Sequence, residues 1–117
     1  MRSLLVGTFL LLFNASWGQV PIEGSWLTGF SNTVIEILEL DGQLSGQIKS
    51  SNDPKIEVGT VVIKELEQVG EKWAGKLFIG KTDEPYDIEL KPEGHVLGVL
   101  VHVGYKQEQA RWPRAKQ

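Results

Sequence analysis

An all-β chain folded as an eight-stranded up-and-down antiparallel barrel is what this sequence predicts, and three observations lead there. Apolar and polar residues alternate with period two through the chain after residue 18, and turn-forming residues interrupt the alternation about every ten positions. Gly24-Ser25-Trp26 opens this region and Trp112-Pro113-Arg114 closes it, so a Trp on the first strand can meet an Arg on the last, as in a sheet that closes on itself. The same region has no helical stripe of period 3.6, no internal repeat and no linker.

The segments follow in order, at 24–29, 32–40, 43–50, 58–67, 72–80, 86–91, 95–103 and 105–113. The second and third form the clearest hairpin, because Asp41-Gly42 is a tight turn able to take positive φ. Pairing residue 40 with 43 sets Ile37 opposite Gly46 and Ile35 opposite Ile48. Leu44, Gly46 and Ile48 then face inward, and Gln43, Ser45, Gln47 and Lys49 face water. In that register Leu38 and Leu40 point outward, a conflict that a bulge at the turn would remove. Gly70-Glu71 joins the fourth and fifth segments; Trp73, Gly75, Leu77 and Ile79 share one face of the fifth, with Phe78 on the other. The sixth alternates Tyr86, Ile88 and Leu90 against Asp87 and Glu89. The seventh is apolar on both sides, Leu97, Val99, Val101 and Val103 against Val96 and Leu100, which suits a strand covered on both faces or meeting a partner. Gly46, Gly75 and Gly98 lie inside strands, where a missing side chain lets a barrel curve or a neighbour pack over the gap.

Residues 1–18 read as a secretory signal peptide. Arg2 supplies the basic start, Leu4 to Phe13 form an apolar run too short to span a bilayer, and Ser16 and Gly18 are the small residues before a cut. Asn14-Ala15-Ser16 matches a glycosylation acceptor but falls inside that signal. Cleavage leaves residues 19–117 as a single domain of about 100 residues, large enough to fold on its own core. Cysteine is absent, which excludes a lipid-anchoring cysteine and any disulfide framework. Exported and disulfide-free, the chain reads as a bacterial envelope protein, periplasmic or extracellular, with no membrane span after signal cleavage. Its net charge is −3 and its charges are interspersed, so no basic stripe exists to neutralise phosphates and nucleic acid is not the expected partner.

Catalytic signatures are missing. His95 and His102, seven residues apart on one strand, fall on opposite faces. None of Ser25, Ser31, Ser45, Ser50 and Ser51 sits in a G-x-S-x-G elbow. Glu36 with Glu39, and Asp83 with Glu84, read as solvated carboxylates. Ser51-Asn52-Asp53-Pro54 lacks the spaced acids of a calcium loop and reads as an Asx-turn. The chain is therefore expected not to be an enzyme and to hold no metal or cofactor; an inward Glu39 beside a histidine is the one arrangement that would reopen that. The aromatics Trp26, Phe30, Trp73, Phe78, Tyr86, Tyr105 and Trp112 either fill the barrel or line a ligand cavity, since an eight-stranded interior suits both.

Gly24-x-Trp26 and the terminal arginines resemble the calycin, lipocalin-like barrels, in which an Arg from the last strand covers the Trp of the first. The resemblance implies that Gly24, Trp26, Trp112 and either Arg111 or Arg114 close the base through a cation–π stack. The chain is similar, more closely, to the small exported bacterial family called domain of unknown function 2147. Gly24-x-Trp26, Asp41-Gly42-x-Leu44-x-Gly46-x-Ile48, Gly59, Trp73-x-Gly75-x-Leu77-Phe78, Tyr86 and Trp112-x-Arg114 carry it. The chain departs from that family in a shorter central loop, Asn52-Asp53-Pro54 to Gly59, and in Gly80-Lys81 where the family has Asp-Pro.

Two functions are expected from different classes. The first is binding of a small apolar or amphipathic ligand in or at the mouth of the barrel, with Trp73, Leu77, Tyr86, Ile88, Leu97 and Val99 as walls. The alternative is a packed barrel that docks an envelope protein, or a second copy as a homodimer, through Leu38, Leu40, Val96 and Leu100.

Overall fold

The computed structural model describes residues 21–79 and 84–116. The signal segment with its cut, and the Gly80-Lys81 departure, lie outside the described residues. Eight strands follow in chain order: β1 (Gly24–Leu27), β2 (Val34–Leu40), β3 (Gln43–Ser50), β4 (Val61–Val69), β5 (Lys72–Leu77), β6 (Tyr86–Glu93), β7 (Val96–Val103) and β8 (Lys106–Pro113). Each pairs antiparallel with the next in a single sheet ordered β1 to β8. A bridge from Trp26 to Arg114 brings β1 back to β8, giving an all-β, up-and-down, nearly closed barrel consistent with a calycin-like architecture.

The predicted hairpin register is the observed one: Leu40 stands opposite Gln43, Ile37 opposite Gly46 and Ile35 opposite Ile48. Asp41 and Gly42 both take positive φ, 53° and 81°, the left-handed pair that a two-residue turn matched to sheet twist requires. The irregularity lies at the other end of the hairpin, between Val34 and Ile35, and not at the turn. Leu38 and Leu40 therefore stay on the outer face, half-buried.

Apart from β3, the strands differ from their predicted bounds by one to three residues at an end, β5 most plainly in stopping at Leu77 rather than at 80, and two of the shifts have a local cause. β1 stops at Leu27 because Gly29, Ser31 and Asn32 take positive φ and turn the chain back. β4 begins later than position 58 because residues 53–60 form a loop laid along β3: Gly59 N–H donates to Ile48 O at 2.8 Å and the Gln47 side chain donates to Gly59 O at 3.2 Å. Glu65, at φ 58°, then introduces a bulge between Lys64 and Glu67.

The two ends of the barrel are unlike. At the base, β2–β3, β4–β5 and β6–β7 are joined by two-residue turns at 41–42, 70–71 and 94–95. The mouth carries the longer connections 28–33 and 51–60, the described residues 78–79 and 84–85 that leave β5 and enter β6, and the tight 104–105 turn. The first two of these loops are tied together: Asn52 N–H donates to Ser31 O at 2.9 Å, and the Thr33 and Ser51 hydroxyls are 2.8 Å apart. The Asx-turn read from Asp53 is present, its carboxylate accepting from Lys55 N–H at 2.9 Å.

Inward residues fill the barrel. Trp26, Ile37, Ile63, Ile88, Leu90 and Leu97 have essentially no exposure. Gly46 and Gly75 are required by this packing: a Cβ on Gly46 would lie 2.9 Å from Ile63, and one on Gly75 would lie 2.8 Å from the Lys64 carbonyl. Gly98 is different, because a Cβ there would meet nothing nearer than 3.6 Å.

Candidate functional site

The base is built around the Trp26 indole, which has no exposure and donates from Nε1 to Ile22 O at 3.0 Å. Above it lies the guanidinium of Arg114, 4.0 Å from the ring centroid, with Nη1 donating to Glu23 O and Nη2 to Pro21 O, each at 2.8 Å. Gly24 has φ 132°, and a Cβ there would fall 2.3 Å from Arg114 Nη1, so glycine gives the cation its seat. Trp112 is buried beside this cluster in the core. Arg111 is not part of it: it lies exposed on the outer face, 3.7 Å from Glu93. Strand parity separates the two arginines, since Arg114 shares the inward side with Trp112 and Arg111 takes the other.

The six residues expected to wall a ligand site are spread along the height of the barrel. Trp73 stands near the base end of β5, Leu77 and Tyr86 at the mouth ends of β5 and β6, and Ile88, Leu97 and Val99 between or below them. Leu77, Ile88, Leu97 and Val99 are buried in the core, with Trp73 and Tyr86 packed against it. Neither of the two described cavities lies inside the barrel.

The larger, of about 610 Å³, is an open groove on the outer face of β6, β7 and β8. Gly98 and Leu100 line it together with the charged Lys91, Glu93 and Arg111. The second, of about 470 Å³, lies at the mouth between Pro85, Tyr86, Asp87, His102 and Gly104. Between them His102 Nε2 and Glu89 stand 3.2 Å apart, and Lys72 Nζ lies 3.4 Å from the same carboxylate. The hydrogen bond from His102 leads the effects that hold the Glu89 carboxyl below its ordinary pKa; burial opposes it, and Lys72 adds to the lowering. Lys76 similarly holds Asp87 low and is itself raised by that carboxylate. Glu39 is exposed, and the histidine nearest a carboxylate is His102 with Glu89, not with Glu39. Among the described residues no group of three or more His, Asp or Glu converges in a way that could hold a metal ion.

A feature not foreseen from the sequence appears at the mouth. The large hydrophobic side chains exposed among the described residues are Phe30, Val58, Val69, Ile79, Val103 and Tyr105. All but Val69 belong to the mouth: Phe30 to the 28–33 loop, Val58 to the 51–60 loop, Ile79 to the 78–85 connection, and Val103 and Tyr105 to the tip of the β7–β8 hairpin. Tyr105 is 93% exposed, Val58 65% and Phe30 61%. The signal that could have found them is topological, because alternate connections of an up-and-down barrel share one end. When the chain is compared with known proteins, no family model, no curated protein and no solved structure matches it.

Proposed function

We propose that this protein is a non-enzymatic binding module of the cell envelope that takes a small apolar or amphipathic ligand at its mouth, on Phe30, Val58, Ile79, Val103 and Tyr105. The carrying observation is the segregation of exposed apolar side chains to that end while the interior below is filled by Trp26, Ile63, Leu90 and Leu97. Clustered exposed apolar groups mark binding surfaces, whereas single scattered ones do not. Export through residues 1–18, a periplasmic or extracellular location, and membership of the domain of unknown function 2147 family belong to the same reading. Those proposals rest on the N-terminal pattern and on the motifs from Gly24-x-Trp26 to Trp112-x-Arg114.

The filled interior also favours a second reading, a packed barrel that docks an envelope protein through its outer face. Native mass spectrometry of the chain from residue 19, purified from its own envelope, separates the two. A bound small mass supports the ligand reading; an empty barrel that captures a protein supports the second. A solution test uses anilinonaphthalene sulfonate: a Phe30→Ser, Tyr105→Ser double variant is expected to lose probe binding with an unchanged melting temperature. Binding that survives both substitutions overturns the mouth as the site.

A further inference from the structure

β8 pairs with β7 along its whole length, but on its other side the ties to β1 among the described residues lie just past its end, in the bridge from Arg114 to Trp26 and the bond from Ala115 N–H to Ser25 O. β1 is too short to reach further, since the chain turns back after Leu27, and Lys106 to Arg111 are all exposed. The hydrogen-bonding direction along this edge follows from one contact. Arg114 N–H donates to His95 O at 3.0 Å, and bonding in an antiparallel ladder alternates residue by residue. With Leu97 opposite Trp112, Val99 opposite Ala110 and Val101 opposite Glu108, the N–H and C=O of Trp112, Ala110 and Glu108 turn toward β7. Those of Gln107, Gln109 and Arg111 turn outward, where no described residue meets them. Pro113, which has no N–H to offer, ends this outward row at the base.

We propose that this edge pairs antiparallel with β8 of a second copy of the chain, about a two-fold axis through Gln109. An exposed row of backbone donors and acceptors is a template for strand addition, and proteins restrict it with charged edge residues. Here the charges select a register. Centred on Gln109, Gln107 faces Arg111 of the second copy, Glu108 faces Ala110, and Lys106 faces Trp112, so no like charges stand directly opposite. Centred on Glu108, two carboxylates meet face to face, which is destabilising. Centred on Ala110, Gln107 falls opposite Pro113 and loses a donor. The Gln109 register gives about six backbone hydrogen bonds, two from each of three hydrogen-bonded pairs. The interface is isologous and closes after two copies, so it does not propagate into a filament.

Sedimentation of the chain from residue 19 across the micromolar range tests this, with two substitutions at the axis. Gln109 is exposed and its N–H meets no acceptor among the described residues, so Gln109→Glu leaves the monomer's melting temperature unchanged while placing two carboxylates opposite each other. The expected result is a wild-type dimer weakened about tenfold or more by Gln109→Glu. Because the chain has no cysteine, Gln109→Cys is expected to form a disulfide-linked dimer on oxidation, whereas Glu108→Cys, facing Ala110, is not. A wild-type chain that stays monomeric, a dimer indifferent to Gln109→Glu, or equal cross-linking at 108 and 109 each overturns the proposal.

Discussion

The Arg114 guanidinium lies 4.0 Å from the centre of the Trp26 ring and hydrogen-bonds two carbonyls of the segment that leads into β1. One side chain thereby covers the buried indole and ties the last strand to the first. Arg114→Ala is expected to cost about 1–3 kcal/mol, the sum of a cation–π contact and two charge-assisted hydrogen bonds. Arg114→Lys should recover only part of that, since an ammonium cannot fork between two carbonyls. Arg111→Ala, which removes an exposed pair with Glu93, should stay within about 0.5 kcal/mol. Urea unfolding of the three variants checks the order.

Trp26→Ala removes the largest side chain with no exposure and leaves Ile22 O without its donor. The expected loss is about 3–5 kcal/mol in the same unfolding measurement. An effect under about 1 kcal/mol would be that of a surface residue and would contradict the buried indole.

The strand glycines divide by what their missing Cβ would meet. Gly75→Ala drives a methyl to 2.8 Å from the Lys64 carbonyl, a backbone atom that cannot step aside without disturbing β4, and about 1–3 kcal/mol should be lost. Gly98→Ala meets only ordinary contacts at 3.6 Å and beyond, so stability should change by less than about 1 kcal/mol while the outer groove becomes shallower. Thermal melting of the pair distinguishes them.

The Glu89 carboxyl is held below its ordinary pKa chiefly by the hydrogen bond from His102. The folded chain thus binds fewer protons there than the unfolded chain. That contribution is complete above the ordinary glutamate range and is lost as pH falls through the depressed folded value. Glu89→Gln should flatten the acid side of the stability profile and lower stability near neutrality. Unfolding free energies measured from neutral pH into the acid range show it as a smaller slope in the variant.

Much of the architecture was legible because strand parity and turn chemistry are local. Asp41-Gly42 set a register that holds to Ile35 and Ile48, and all eight strands appear. The bulge at Glu65 was not legible, since a left-handed glutamate has no compositional mark. The arginine over Trp26 could have been assigned from parity: once Trp112 faces inward, Arg114 follows it and Arg111 does not. The residues expected to wall a ligand were harder to place, because an apolar inward residue looks the same in sequence whether it lines a cavity or fills one. Leu97 and Ile88 fill one. Phe30 and Tyr105 stand out in the sequence as aromatics, but only the closing of the sheet brings their separate loops to one end.

The closure at the base also fixes how the chain can be cut and rejoined. Arg114 Nη2 reaches Pro21 O at 2.8 Å across 93 positions of sequence, and Ala115 N–H reaches Ser25 O at 2.9 Å. The segment that enters β1 and the segment that leaves β8 therefore lie side by side at the base, and a short Gly-Ser linker can join them. A circular permutant opened between Glu57 and Val58, both exposed, would turn the β1–β8 seam into a local hairpin and the β3–β4 hairpin into the most distant pairing. The order in which the strands zip would change, while the finished barrel stayed the same.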